Sequence, residues 1–103
     1  KLKSKVVFVN TKDYGDYVVE TDEIQLRKSY PSVKEFLMTV LHEIHHALMA
    51  QRHGKRKFLK MYNQAGTMAA YRGLNPHDDN KWEEKAESFA RNELKKYQSF
   101  LKK

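Results

Sequence analysis

Apolar residues recur at three- and four-residue steps over a stretch that begins at Val33, which is the spacing of an amphipathic helix. Ser32 and Glu35 stand at its start and form a capping box, in which each side chain satisfies a backbone N–H that would otherwise lack a partner. Gly54 can close the far end, because glycine tolerates the left-handed conformation found at helix C-termini. The sequence therefore predicts a first helix over about 33–52.

Two further helices are predicted in the second half of the chain. Apolar positions at helical spacing run over 56–71, and the turn-forming residues Gly73-Leu74-Asn75-Pro76 end that segment. A polar run then leads to Asn80, after which a last helix carries one apolar face. This face contains Trp82, Ala86, Phe89, Ala90, Leu94, Tyr97 and Leu101. We expect the apolar sides of both helices to contribute to the core.

The residues before the first helix have the composition of short strands. Residues 5–10 and 17–20 are rich in β-branched and aromatic side chains, and a turn is expected around Gly15. A tight link at Asp22 then leads into a third strand, Glu23–Arg27. Strands followed by helices predict a single α+β domain over 1–103, with a small N-terminal sheet and three helices.

The composition fits a small domain with a modest core. The chain has no Cys, so it can form neither disulfides nor thiolate metal sites. No apolar run approaches the roughly 20 residues of a membrane span, and the start has no signal-peptide pattern. We therefore expect no membrane partner and a cytoplasmic location. At 103 residues, a bound metal would add useful stability.

One short motif carries recognisable chemistry. The residues His42-Glu43-Ile44-His45-His46 fit the pattern His-Glu-x-x-His, in which two imidazoles on one helix can bind a single zinc ion. At about 100° per residue, His42 and His46 share a face and lie roughly 6 Å apart along the axis. Glu43 points to the side of this pair, where its carboxylate can serve as a general base toward a zinc-bound water.

Two nearby histidines are poorly placed to join the same ion. His45 lies about 100° around the helix from His46. His53 shares the face of His46 but is about 10 Å further along, if the helix continues. We expect His45 to be solvated or hydrogen-bonded and His53 to be too distant to ligate.

A catalytic zinc ion needs a third protein ligand, which must come from outside the first helix. Glu83 is the strongest candidate, because it falls inside the apolar face of the last helix, where an unpaired carboxylate is costly. Its alternative role is to close a capping box with Asn80. Glu87, one turn further on, could orient a histidine through a hydrogen bond. The other candidate ligands are His77, Asp78 and Asp79.

The order of these elements resembles that of small zincin metallopeptidases of the gluzincin type. The strand Glu23–Arg27, the helix with the His42-to-His46 motif and the later Glu83-x-x-Ala86-x-x-Phe89-Ala90 are similar to the ImmA/IrrE-like, SprT-like and minigluzincin peptidases. Many members of these families come from prokaryotes and their phages. The resemblance implies a minimal zincin-like domain with its metal site between the first and last helices.

In these families two histidines and a downstream glutamate bind zinc, and the motif glutamate activates the attacking water. The resemblance therefore implies one Zn²⁺ per chain, held by His42, His46 and Glu83, with Glu43 as the base. It implies a zinc metalloendopeptidase that hydrolyses peptide bonds of a polypeptide substrate.

The resemblance implies two further features of the cleft. The strand before the metal-binding helix, here residues 24–27, is expected to form the upper rim and to pair with extended substrate. The group that stabilises the transition state is often a Tyr, His or Arg in such families. Tyr71 and His77 are the candidates in this chain.

The net charge of +7 leaves other functions open. Such a charge permits binding of nucleic acid or of an acidic partner. One alternative is therefore a basic nucleic-acid-associated module, and another is a virion or scaffold protein that keeps the fold with a structural or vestigial metal site. The basic residues gather at Lys1, Lys3 and Lys5, over 52–60, and at Lys95, Lys96, Lys102 and Lys103.

Overall fold

Strands followed by helices build the α+β fold of this chain, and the computed structural model describes residues 3–98. The predicted order of elements is confirmed, and the bounds of the strands and of the first two helices differ from the predicted ones by at most two residues. The predicted apolar face of the last helix includes Tyr97, but that helix ends at Leu94 and Tyr97 lies in a 3₁₀ turn. Lys1, Leu101, Lys102 and Lys103 lie outside the described residues. The elements are β1 (Lys5–Val9), β2 (Gly15–Val18), β3 (Glu23–Arg27), α1 (Val33–His53), α2 (Lys55–Tyr71), α3 (Lys81–Leu94) and a 3₁₀ turn over Lys95–Tyr97.

The third strand lies in the middle of the sheet. β3 pairs parallel with β1, placing Val7 opposite Gln25, and antiparallel with β2, placing Tyr17 opposite Ile24. The expectation that residues 24–27 form an open rim for substrate is therefore wrong, because both edges of β3 are already hydrogen-bonded. Within residues 3–98, the outer edge of β2, on the side away from β3, has no strand partner.

A tight turn between β2 and β3 explains this order. The N–H of Asp22 donates to the carbonyl of Val19 at 3.2 Å, and Asp22 has a φ of +52°, in the left-handed region that Asp and Asn tolerate. The Asp22 carboxylate accepts hydrogen bonds from the hydroxyls of Ser4 and Tyr17, both at 2.6 Å. Asp22 thus links Ser4, just before β1, to Tyr17 in β2. β1 then pairs with the edge of β3 that faces away from β2.

The first helix begins and ends where its sequence signals predict. The Ser32 hydroxyl accepts a hydrogen bond from the N–H of Glu35 at 3.2 Å. At the other end Gly54, with a φ of +88°, closes α1 and turns the chain directly into α2. This sharp corner folds α2 back beside α1.

The core lies between the sheet and the helices and continues between α1 and α3. α1 and α3 share the most extensive helix contact, and Ala86 and Ala90 on α3 are fully buried. Small side chains let helix axes approach closely, so functional groups on the facing helices can meet. None of the helices in residues 3–98 is both long and apolar enough to cross a membrane. The main buried cluster contains Tyr17, Ile24, Leu26, Ala47, Ala50, Phe58 and Trp82.

Candidate metal centre

Two imidazoles and one carboxylate converge where α1 meets α3. The Nε2 atoms of His42 and His46 lie 2.7 and 2.9 Å from the same oxygen, Oε1 of Glu83. The ligating atoms of these three residues all lie within 4.8 Å of one another. Within residues 3–98 this is the one group of three His, Asp or Glu side chains close enough to hold a metal ion.

Glu83 reaches this point because another residue caps α3. The Asn80 side chain accepts a hydrogen bond from the N–H of Trp82 at 2.9 Å and donates to the carbonyl of Tyr62 at 3.0 Å. Asn80 is fully buried and fixes the start of the helix. The capping box between Glu83 and Asn80 does not form, and the Glu83 carboxylate points to the histidines instead.

His42 is held from its other side as well. Its Nδ1 lies 3.1 Å from Oε1 of Glu87, one turn beyond Glu83 on α3. Nη2 of Arg91 in turn lies 3.5 Å from the second oxygen of Glu87. A carboxylate that accepts Nδ1–H fixes the ring orientation and leaves Nε2 to face a ligand. Glu87 thus takes the orienting position that its sequence spacing suggests.

The cluster needs positive charge at its centre. If His42 donates Nδ1–H to Glu87, a neutral ring turns the Nε2 lone pair toward a lone pair of Glu83. This contact is favourable only if a proton or a metal ion lies between the two atoms. Two imidazole nitrogens and one carboxylate are also the donor set of many catalytic zinc sites, so these residues fit such an ion.

The pKa shifts follow the same arrangement. Burial lowers the pKa of His42, but the hydrogen bond to Glu83 and the nearby charges of Glu43 and Glu83 outweigh it, and the pKa is raised. Burial raises the pKa of Glu83, but the hydrogen bonds from His42 and His46 hold it well below its usual range. Glu83 is therefore ionised whenever the cluster is assembled.

Glu43 lies beside the cluster and is only 7 % exposed. Burial raises the pKa of its carboxyl to about 7, against the opposing influence of His46 and His42. A carboxyl group with a pKa near neutrality can both accept and release a proton at physiological pH. This is the property expected of the base that the motif predicts.

Tyr62 is a member of the site that sequence reasoning missed. Its hydroxyl donates a short hydrogen bond to Oε2 of Glu83, and its ring packs edge-on against His46. Burial and the hydrogen bond to Glu83 raise the pKa of Tyr62 far above its usual range, so the hydroxyl remains a donor. The available signal was a Tyr on the buried side of a helix, where the hydroxyl needs a polar partner.

Of the other residues predicted as ligands or as transition-state stabilisers, His77 contacts the cluster, whereas Asp78, Asp79 and Tyr71 do not. His77 lies at the rim of the cluster, with Nε2 3.2 Å from Oε2 of Glu83 and its side chain 71 % exposed. Asp78 contacts the other nitrogen of His77 at 3.1 Å, and Asp79 accepts a hydrogen bond from its own loop. Neither aspartate belongs to the group of three. Tyr71 is 88 % exposed at the end of α2 and lines none of the three cavities that border the cluster, so the structure does not bring it to the site.

The two remaining histidines of α1 stay outside the cluster, as their helical positions predict. The ring of His45 lies 5.2 Å from that of Phe89, and burial, followed by the positive charges of His46 and His42, lowers its pKa to about 4. The ring of His53 packs edge-on against Trp82 at 6.0 Å. Both side chains pack against aromatic rings of α3.

Three cavities border the cluster, and two of them share Glu43 and together form a cleft. The β2–α2 cavity, of about 350 Å³, lies between residues 15–20 and the first turns of α2. The α1–α3 cavity, of about 590 Å³, lies between the start of α1 and the end of α3. His42 and Glu43 line both cavities, so a chain lying along the cleft would pass the cluster. A larger cavity of about 1250 Å³, between α2 and the start of α3, contains none of the cluster residues.

No protein-family model matches this chain, and no match is found among curated proteins or among solved structures. The interpretation of the site therefore depends on the cluster itself and on the cleft that surrounds it.

Proposed function

We propose that this protein is a zinc-dependent metallopeptidase with a minimal zincin-like fold, in which His42, His46 and Glu83 hold one Zn²⁺. The convergence of two Nε2 atoms on one Glu83 oxygen, beside the buried Glu43 and at the junction of two cavities, carries the proposal. Three protein ligands with space left on one side are typical of catalytic zinc sites, whereas structural sites are closed by four.

The chain's own residues supply the proton transfers. When bound, zinc polarises a carbonyl group and lowers the pKa of water, which prepares both reactants for hydrolysis. Glu43 accepts a proton from the attacking water and passes it to the leaving amine, a role supported by its buried place beside the cluster. Its Cγ lies close to Gly15 at the start of β2.

Two donors lie where negative charge would develop on the substrate carbonyl oxygen. The Tyr62 hydroxyl and the His77 imidazole both contact the second oxygen of Glu83, on the open side of the cluster. Each can donate to a developing oxyanion after a small side-chain rotation, which would lower the barrier to hydrolysis. His77 is the better placed for this role, because it lies at the solvent-exposed rim.

The outer edge of β2 can pair with the backbone of an extended substrate. Residues 15–18 leave one edge without a strand partner in the described part of the chain. All four line the β2–α2 cavity, and Gly15 also lines the α1–α3 cavity. An extended peptide can add to such an edge through main-chain hydrogen bonds, which hold its backbone in register past Glu43. We therefore assign the substrate-pairing role to β2 in place of β3.

The proposal is tested by comparing wild-type protein with Glu43→Gln. Both should bind about one zinc per chain, while hydrolysis of an unstructured protein such as casein should fall by about 10³-fold or more in the variant, because the base is lost. Zinc content is measured by mass spectrometry after loosely bound ions are removed, and cleavage by release of amines. Turnover retained by Glu43→Gln, or no bound zinc in either protein, contradicts the proposal.

The nucleic-acid and scaffold alternatives stay predictions. Exposed basic residues crowd the corner between α1 and α2, among them Arg52, Lys55 and Lys57. Binding of DNA that weakens steeply with salt and persists in Glu43→Gln would favour the first alternative. Full stability and a native fold with no bound metal would favour the second.

A further inference from the structure

We infer that the cleft selects peptides by the order of their charges, with Lys or Arg on the N-terminal side of the scissile bond and Asp or Glu on the C-terminal side. The inference rests on the proposed peptidase function and names its substrate class. It comes from the unequal charges of the two cavities that meet at His42 and Glu43.

The β2–α2 cavity is acidic along its sheet side. Asp16 and Glu20 are exposed there, and no Lys or Arg lines this cavity. Neither acid forms an ion pair within residues 3–98. The opposite wall carries the apolar side chains of Phe58 and Leu59. A long side chain with an aliphatic stem and a cationic head, as in Lys or Arg, matches both walls.

The α1–α3 cavity carries charges of both signs, with Lys34, Arg91 and Lys95 balanced by Glu35, Glu43 and Glu87. Its lysines are exposed, whereas Glu35 is half-buried and Glu43 is buried. Lys34 at the start of α1 and Lys95 after α3 line its two walls, and neither forms an ion pair with another described residue. Arg91 is also present but is paired with Glu87 at 3.5 Å. The two unpaired lysines are thus available to a negatively charged group. Met38 and Leu94 give the same cavity apolar surface.

The direction of β2 fixes the order of the charges. β2 runs from Gly15, which lines both cavities, toward Val18 and Glu20 in the acidic one. Antiparallel pairing is the more stable arrangement per residue, so an extended substrate runs opposite to β2. Its N-terminal part then lies in the acidic β2–α2 cavity and its C-terminal part in the α1–α3 cavity, near the exposed Lys34 and Lys95. The scissile bond lies between them, beside Glu43.

The inference predicts preference among peptides of identical composition. One internally quenched peptide carries Arg within two residues before a central cleavable bond and Glu within two residues after it. A second peptide of the same composition has Arg and Glu exchanged. A third, uncharged reference peptide has Gln at both positions. We expect kcat/KM for the first order to exceed that for the reversed order by about tenfold or more, since each exposed pair contributes up to roughly 1 kcal/mol. Equal rates, or a preference for the reversed order, would overturn the inference.

Charge reversal locates the effect in the α1–α3 cavity. Lys34→Glu combined with Lys95→Glu should abolish the preference for Glu after the bond and favour Arg there. Lys12→Glu combined with Lys57→Glu makes the same change in net charge at exposed positions that line none of the five cavities described for residues 3–98. This control should keep the wild-type preference. An identical response of both double variants would show a long-range effect of net charge and would overturn the assignment.

A binding measurement separates failure of this inference from failure of the peptidase proposal. The zinc-loaded Glu43→Gln protein is titrated into fluorescein-labelled peptides of both orders, and anisotropy gives the dissociation constants at low and high salt. We expect the Arg-then-Glu peptide to bind about tenfold more tightly at low salt, with the difference shrinking as salt rises. If the Arg-then-Glu peptide binds more tightly but the wild-type protein cleaves neither peptide, the peptidase proposal is contradicted and the charge order stands. Equal binding of the two peptides contradicts the charge order whether or not cleavage occurs.

Discussion

Gly15 lies against Thr39 with no room for a side chain. A Cβ atom on Gly15 would stand 2.6 Å from Cγ2 of Thr39 and 3.2 Å from the backbone oxygen of Gln25. It would also lie 3.4 Å from Cγ of Glu43. The start of β2 therefore packs against α1 at a distance that only glycine allows, and this contact fixes the separation between β2 and α1 next to Glu43.

Replacing Gly15 with Ala should destabilise the protein by about 1–3 kcal/mol, because the added methyl group forces β2 away from α1. Thr39→Ser removes the opposing methyl but keeps the hydroxyl that donates to the carbonyl of Glu35. The double variant should recover about 1 kcal/mol or more relative to the sum of the single changes. Urea denaturation of all four proteins measures the coupling. Strict additivity would mean that β2 and α1 do not touch at this point.

Glu83→Ala should abolish or greatly weaken zinc binding, since one of three ligands is lost and two imidazoles remain without their shared carboxylate. Glu84→Ala is the matched control, because Glu84 is adjacent on α3 but exposed. Mass spectrometry of the metal content of both variants measures the effect. Zinc retained at full stoichiometry in Glu83→Ala would move the third ligand to His77, the next nearest candidate.

Glu87→Gln should weaken zinc binding by about 10- to 100-fold without removing a ligand. The Gln amide can still accept the hydrogen bond from Nδ1 of His42. It lacks the negative charge that makes the imidazole more basic and hence a stronger zinc ligand. Competition with a chromogenic chelator measures the dissociation constant, and Glu84→Gln is the control at an exposed position on the same helix. A change of equal size in both variants would remove the special role assigned to the 3.1 Å contact between His42 and Glu87.

Asp22 should make the protein less stable in acid. The hydrogen bonds from Ser4 and then from Tyr17 lower the pKa of its carboxyl. A lowered pKa in the folded state contributes stability at pH values above the ordinary Asp pKa of about 4, and this contribution is lost as the pH falls through the folded value. Because Asp22 is only partly buried, solvent screens its charge and we expect the contribution to be about 0.5–1 kcal/mol.

Asp22→Asn tests this dependence, because Asn tolerates the left-handed φ but does not titrate. The difference in free energy of unfolding between wild type and Asp22→Asn should be largest near neutral pH and should shrink toward pH 3. Asp13→Asn makes the same chemical change at an exposed position and is the control. A difference that does not vary with pH would show that Asp22 acts through backbone conformation alone.

The helices and the grouping of Glu83 with the two histidines were predictable because their signals are local. Ser32 and Glu35 mark the start of α1 and Gly54 its end, each within a few residues of the helix limit that it sets, and the structure follows them. Glu83 could be chosen because a carboxylate inside an apolar helical face demands a partner. In both cases the residues that decide the outcome lie on one element.

Sheet order and the remaining site residues depend on contacts between distant elements. Nothing in Glu23–Arg27 shows that β1 will pair with its far edge, because a strand sequence does not specify which neighbour takes which side. Tyr62 looks like an ordinary core residue until α3 brings Glu83 to it. The unequal charges of the two cavities likewise arise only when residues of α1, α3 and β2 are brought together.

The three groups that meet at the cluster are far apart along the chain. Glu83 is 37 residues from His46 and 41 from His42, so a cation bound to all three ties the first helix to the last. Such an ion acts as a removable cross-link, and each tenfold excess of free ion over its dissociation constant adds about 1.4 kcal/mol to the folded state. The abundance of the folded chain in a cell would then track metal supply, and zinc starvation would lower the amount of folded protein as well as the activity of each molecule.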